Sequence, residues 1–283
     1  MKISIIGCGR LGTSLTKALK KKKYSLVYIY DADKKKAIES KDIIQGINIS
    51  KDIAGLIEKS DLIFITVPDK KIREVVIEIV RINKNLKDKF FFHTSGIYSS
   101  KILKELKGLE AKTGVFHPVQ SFPTKDMRAD VFKNIFFTYE GDAEGKKIAE
   151  KISKDLGGEL IEMKKVRREK YHLACSIASN LLLILFKLAV NKIEESGLSK
   201  KRATEVLTPL AISTLKNINE VGIEKALTGP LIREDIETLR MHIENLNGSE
   251  RDIYKKLIEY FIMSFPTDNL SEKYLKELGL LIR

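Results

Sequence analysis

Cysteine and histidine are scarce: the chain has two of the first, Cys8 and Cys175, and four of the second in 283 residues. Two cysteines cannot build a disulfide framework. That excludes a stapled secreted domain and fits a reduced, cytoplasmic setting. No apolar run reaches the length of a membrane span; the longest, "LLLILFKLAV" from Leu181, is short and broken by Lys187. The N-terminus enters a strand pattern at once, "MKISIIGCG", which predicts no signal peptide. Internal repeats and low-complexity linkers are also missing.

What is present is charge. Charged residues make up 31% and hydrophobic residues 43%, with a net charge of +13 and a pI near 9.4. A basic chain raises the question of nucleic acid. Here the lysines are interleaved with glutamates, as in "KILKELKGLEAK", and no aromatic residues alternate with them to form a stacking surface. The expectation is therefore a soluble protein with no nucleic-acid or membrane partner. Its basic surface would favour an anionic cofactor or substrate. The length suits one large domain or two smaller ones.

Apolar runs alternate with amphipathic stretches through the first half. "KISII", "YSLVYIY", "DLIFITV", "KFFFHT", "KTGVFHP" and "NIFFTYEG" read as strands, and "RLGTSLTKALKKK" reads as a helix. Such alternation predicts a parallel sheet covered on both faces. Past "GGELIEM" only helical periodicity remains. The expected architecture is α/β: a doubly wound Rossmann domain over residues 1–155, then an all-helical substrate and dimerisation domain over 156–283.

"IIGCGRLGTSL" spaces three glycines as Gly7-x-Gly9-x-x-Gly12, directly after a strand and opening a helix. Gly7 permits the tight turn and Gly9 lets a pyrophosphate approach the backbone. Gly12 lets helix and strand pack closely. Arg10 and Leu11 lie between the last two glycines, where helix N–H groups would face the phosphates. Asp31, 19 residues beyond Gly12, stands where an acid accepts the ribose hydroxyls. That slightly favours NAD over NADP, although Lys34, Lys35 and Lys36 follow and could bind a phosphate.

Three polar signatures each follow an apolar run: Val67-Pro68-Asp69, "HTSG" from His93, and "HPVQSF" from His117. Parallel strands bring their carboxyl ends to one edge, so all three should face the cofactor crevice, with Ser95 near the nicotinamide. His93 reads more naturally as a strand-end residue bonded to backbone. In "KYHLACSIASN", His172, Ser176, Ser179 and Asn180 share one face at helical spacing, which suits a hydrogen-bond network or a ligand. "LTGPLIREDIETLRMHI" offers Arg233 as a fork for a substrate carboxylate or as a surface ion pair. His242 lies one turn past Thr238 on the same stripe. No cluster suggests a metal.

Together these motifs resemble a family of two-domain Rossmann-like proteins with a C-terminal helical domain of unassigned function. Its members carry GxGxxG, VPD, HTSG, HPLQ-F, YH-A-SN and LTGP-RGD-T-H along one chain. Here they stand as Gly7 to Gly12, Val67 to Asp69, His93 to Gly96, His117 to Phe122, Tyr171 to Asn180 and Leu227 to His242. That family is similar to the 6-phosphogluconate-dehydrogenase-like enzymes, among them ketopantoate, pyrroline-5-carboxylate and prephenate oxidoreductases. The resemblance implies NAD(P)-dependent hydride transfer to or from a small keto or hydroxy acid in an interdomain cleft, with ketopantoate-like compounds among the candidates, and a homodimer. "HPVQ" is similar to the HP motif of prephenate dehydrogenases, which implies that His117 moves the substrate proton. His172 is the second candidate for that role, and Asn180 and Ser95 would orient the carbonyl. Glu234 departs from the pattern, which has glycine there. A dinucleotide-binding sensor without chemistry is the alternative function.

Overall fold

The computed structural model describes residues 1–164 and 166–283. They divide into two compact units, Met1–Ser179 and Asn180–Arg283.

The first unit is built on one eight-stranded sheet: β1 (Lys2–Ile6), β2 (Ser25–Tyr30), β3 (Asn48–Ile49), β4 (Leu62–Ile65), β5 (Phe90–His93), β6 (Lys112–Pro118), β7 (Phe136–Gly141) and β8 (Glu159–Glu162). The order across the sheet is β3-β2-β1-β4-β5-β6-β7-β8. The helices between strands are α1 (Arg10–Lys21), α2 (Lys34–Ile44), α3 (Ile53–Glu58), α4 (Ile72–Ile82), α5 (Lys104–Lys107) and α6 (Ala143–Leu156), and α7 (Arg168–Ser176) follows the last strand. Two apolar clusters form the core. One gathers Leu15, Leu19, Phe64, Phe92, Phe116, Phe137 and Ile152; the other gathers Ile63, Ile65, Val76, Ile79, Phe91 and Leu103. Side chains alternate along a strand, so these clusters lie on opposite faces of the sheet. The strand β4, "LIFI", is buried throughout, as a strand covered on both faces must be. Each such Leu, Ile or Phe contributes ~1.5–3 kcal/mol on burial.

Strands β1 to β6 run parallel, as expected, but β7 runs antiparallel to β6, pairing His117 with Thr138 and Val115 with Glu140. A parallel return needs a crossover of a dozen or more residues, usually a helix. Residues 119–135 hold no helix, and the chain comes straight back alongside. The expected domain boundary at residue 155 needs correcting. Strand β8 pairs with β7 beyond it, and the first unit runs on to Ser179. The four-residue strand was too short to outweigh the helical periodicity around it.

The second unit is helical, as expected: α8 (Leu182–Glu195), α9 (Lys200–Val221), α10 (Ile223–Ala226), α11 (Ile236–Glu244), α12 (Gly248–Ser264) and α13 (Glu272–Leu281). Leu239, Ile258, Phe261, Tyr274 and Leu278 form its core. Glu234 sits at φ 58°, the left-handed region that favours glycine, which is the residue of the resembled pattern. Its carboxylate accepts bonds from Ser271 N and Oγ at 2.7 and 2.6 Å, tying the strained turn to the start of α13.

Two expectations about the run from Tyr171 change. A π-helical turn, Ile177–Leu181, separates α7 from α8 and shifts the helical phase, so Asn180 does not continue the stripe of His172 and Ser176. Asn180 is exposed, whereas His172, Ser176 and Ser179 are half-buried. The helical stretch Arg168–Glu195 is also long and apolar enough, by composition, to cross a membrane. Reading the apolar run only from Leu181 understated its length.

Candidate functional site

The glycine turn is shaped by its contacts. Gly7 lies at φ 108°, and a Cβ there would come within 2.8 Å of the Thr66 and Val67 backbone. A Cβ on Gly12 would meet the Gly7 carbonyl at 2.0 Å. Both positions therefore require glycine. Gly9 differs: a Cβ there meets nothing within 4 Å, so open space lies over the turn. Helix α1 starts at Arg10 with no side-chain cap at Gly9 and no acid in its first turn. The next two helices are capped by Asp33 and Asp52. The free N–H groups and positive end of α1 are thus left for an anion. This cradle fits the pyrophosphate of a dinucleotide, with Gly7, Gly9, Arg10, Leu11 and Gly12 lining it. Arg10 is exposed and Leu11 half-buried.

Asp31 holds the turn from β2. Its Oδ2 accepts Cys8 N at 2.8 Å and its Oδ1 accepts Asp33 N at 2.9 Å. Both oxygens are therefore engaged with backbone. Burial, and then the Asp31 charge, push the Cys8 thiol up to about 12, so it stays protonated and inert.

Strands β4, β5 and β6 end on the same edge as β1, in the register Ile6, Ile65, His93, Val115. Val67 and Pro68, "HTSG" and "HPVQ" therefore gather where the glycines lie. His93 is fully buried; its Nδ1 accepts Ser95 N at 3.2 Å and its Nε2 donates to Ser99 O at 3.2 Å. Burial lowers it to about 4. It is a neutral staple of the turn. The Ser95 hydroxyl oxygen accepts Ile97 N and Tyr98 N at 3.3 and 3.2 Å and so closes the same turn.

His117 emerges at the end of β6. Its Nδ1 shares a hydrogen bond of 2.9 Å with the Tyr171 hydroxyl, the rings edge to face at 5.7 Å. A Cβ on Gly96 would lie 2.9 Å from His117 Nε2 and 3.0 Å from His172 Cδ2, so both imidazoles close on the "HTSG" turn. Burial, then Arg168, His172 and His93, lower His117 to about 4. Arg168 is 4% exposed. Its Nε donates to Glu140 Oε2 at 2.6 Å and its Nη1 reaches Gly96 O at 3.5 Å, while its buried Nη2 has no partner among the described residues. Glu140 Oε1 accepts Ser100 N and Oγ at 2.9 and 3.0 Å. Burial opposes ionisation of Glu140, yet the bonds from Arg168 and Ser100 hold its carboxyl below the usual range.

Sequence reasoning left Arg168 and Glu140 out and named Tyr171 only as a motif letter. Glu140, charged inside the apolar strand "FFTYEG", was the available signal, because a buried charge needs a partner. Asn180, Arg233 and His242 fall in the second unit. Arg233 is exposed, and His242, also exposed, bonds through Nδ1 to the Tyr254 hydroxyl at 2.8 Å. Among the described residues no group of three His, Cys, Asp or Glu could hold a metal.

Residues 2–92 match the family model described as NADP oxidoreductase, coenzyme F420-dependent. Residues 135–261 match a domain of unknown function, DUF2520. A "putative NADP oxidoreductase" from Bacteroides fragilis is 25% identical, with a TM-score of 0.74 over 90% of this chain and 95% of its own. Protein TM1727 from Thermotoga maritima is 24% identical, with a TM-score of 0.65 over 99% and 100%. A pyrroline-5-carboxylate reductase from Coxiella burnetii shares the fold at 15% identity, with a TM-score of 0.61 over 99% and 95%. No curated protein matches the chain. The family description names NADP, so the slight preference for NAD finds no support. The chain thus carries a stretch similar to the NADP-oxidoreductase family model followed by a stretch similar to the DUF2520 model, and the resemblance read from its motifs stands.

Proposed function

We propose that the protein is an NADP(H)-dependent oxidoreductase acting on the C=O or C=N bond of a small, carboxylate-bearing compound. One observation carries this reading: an uncapped glycine turn with open space over Gly9 shares a sheet edge with a hydrogen-bonded His117–Tyr171 pair. When bound, the nicotinamide supplies or accepts a hydride. The glycine turn holds the pyrophosphate, and the exposed Lys34, Lys35 and Lys36 at the start of α2 attract the 2′-phosphate. The His117–Tyr171 pair handles the proton that accompanies hydride transfer. Val67 and Pro68 line the approach to the nicotinamide. Arg233 and Asn180 are the candidates for binding the substrate carboxylate and orienting the reacting bond. His242 is the weaker candidate, since Tyr254 holds its ring.

The protein works as a homodimer in this reading. Leu183, Ile184 and Leu210 are 66%, 61% and 62% exposed, too much apolar surface for helices α8 and α9 to leave in water. A lipid-crossing helix is the competing reading. The half-buried His172, Ser176 and Ser179 in the same stretch disfavour it.

The test is consumption of NADPH and of NADH with a panel of 2-oxo acids and cyclic imines. Turnover with NADPH that exceeds turnover with NADH supports the reading. Tight cofactor binding with no turnover on any compound points instead to the dinucleotide-sensor function. Replacing Lys34, Lys35 and Lys36 by alanine should lower NADPH affinity about tenfold, a loss of ~1.4 kcal/mol, and leave NADH unchanged.

A further inference from the structure

We infer that Tyr171 is the proton donor of this site, with His117 as its hydrogen-bond partner and Arg168 as the buried cation that, together with burial, biases which of the two gives up a proton. The inference rests on the reductase reading above and assigns a residue that the histidine motifs did not point to. A tyrosine and a histidine 2.9 Å apart can deliver a proton in two ways. The imidazolium can act as the acid, or the neutral phenol can. The surrounding charges separate them.

Arg168 opens α7 one turn before Tyr171, so both side chains leave the same side of the helix. Its guanidinium is buried and anchored on Glu140 and on the Gly96 carbonyl. A cation there raises the cost of a second positive charge on His117 and lowers the cost of a negative charge on Tyr171. The other groups facing His117 are His172 from α7 and His93 from β5, and both add to the first effect. The groups facing Tyr171 are Thr138 from β7 and Cys175 from α7. Among the described residues Glu140 is the one carboxylate paired with the guanidinium, and at His93 it counts for less than Arg168 does. Burial first, and then Arg168, hold His117 at about 4. At neutral pH the imidazole therefore has no excess proton to give. Burial raises Tyr171, which keeps the phenol protonated and ready to donate.

The step balances. A C–H bond of the reduced nicotinamide would break to release the hydride with its electron pair; the hydride bonds to the carbon of the C=O or C=N group, and the π pair moves onto the oxygen or nitrogen. The O–H bond of Tyr171 breaks, and its proton bonds to the oxygen or nitrogen. The tyrosinate left behind is held by His117 and by the Arg168 charge until water returns a proton.

Two readouts test this on the full-length protein. The first needs no substrate: nuclear magnetic resonance of labelled histidine across pH. His117 should stay neutral from pH 7 to about 5. Arg168→Gln should raise its midpoint, and Arg168→Lys should keep it low by restoring the charge. The second is turnover with NADPH on the oxo-acid and imine panel. Tyr171→Phe should lower kcat by ~10²–10⁴ and leave NADPH affinity unchanged. Two results overturn the inference: a His117 midpoint near its ordinary value that ignores the charge at 168, or a Tyr171→Phe variant with the parent kcat. If the parent protein turns over nothing on the panel, the reductase reading fails. The histidine titration then still decides how the pair is charged.

Discussion

The carboxylate of Asp31 accepts the amide of Cys8 at 2.8 Å, so the residue that ends β2 braces the glycine turn that follows β1. Its second oxygen accepts the amide of Asp33 and opens α2. Asp31→Ala leaves the Cys8 amide without its partner, a loss of ~1–3 kcal/mol. The expected outcome is a lower melting temperature and equal weakening of NADPH and NADH in calorimetric titration. A variant that loses NADH alone would return Asp31 to the role of ribose reader.

His93 and His117 sit near 4 in the folded protein, below the ordinary histidine value of 6.5, with burial the main cause in both. Their contribution is complete above pH 6.5 and falls as the pH drops toward 4, because the unfolded chain binds protons that the folded one refuses. The loss is of order ~3 kcal/mol for each residue at most. Urea denaturation at pH 7, 5.5 and 4.5 measures it. His93→Gln preserves a donor and an acceptor without titrating, and it should remove about half of the slope. An unchanged slope would mean that these histidines do not carry the acid sensitivity.

Gly96 separates the "HTSG" turn from two imidazoles, and a methyl group there lies 2.9 Å from His117 Nε2 and 3.0 Å from His172 Cδ2. Gly96→Ala should push both rings aside. Turnover should fall while NADPH affinity stays at the parent value, since the glycine turn is untouched. Parent-like kcat would mean that the rings near Gly96 take no part in the chemistry.

Leu183 lies exposed on α8 in the most apolar stretch of the chain. If a second copy covers it, Leu183→Glu buries a charge at the interface, and light scattering should report a monomer where the parent is a dimer. A parent protein that partitions into detergent or vesicles would favour the membrane reading instead.

Much of the fold was legible because each motif fell where a strand gave way to a turn. Gly7-x-Gly9-x-x-Gly12 and the strand ends at Ile65 and His93 followed from alternating apolar runs. The antiparallel β7 was not legible, because residues 119–135 show no signal of a direct return. The π-turn at Ile177–Leu181 was also hidden, since a helical stripe is read by assuming a constant 3.6 residues per turn. Asp31 shows a third limit. Its position after β2 is plain in the sequence, but the amides of Cys8 and Asp33 meet its two oxygens only once the chain is folded. Arg168, in "VRREKYH", looked like one more surface charge among many; its burial depends on Glu140, 28 residues earlier.

A dinucleotide seated over the glycine turn would pass against Gly9. A Cβ there meets nothing within 4 Å among the described residues, so Gly9→Val should fold normally. The measurement is calorimetric titration of NADPH into the parent and the variant, beside a melting curve of each without cofactor. Equal melting temperatures and a loss of affinity of about 100-fold or more, ~2.8 kcal/mol, are expected in the variant. A folded Gly9→Val protein that binds NADPH as tightly as the parent would contradict that seating.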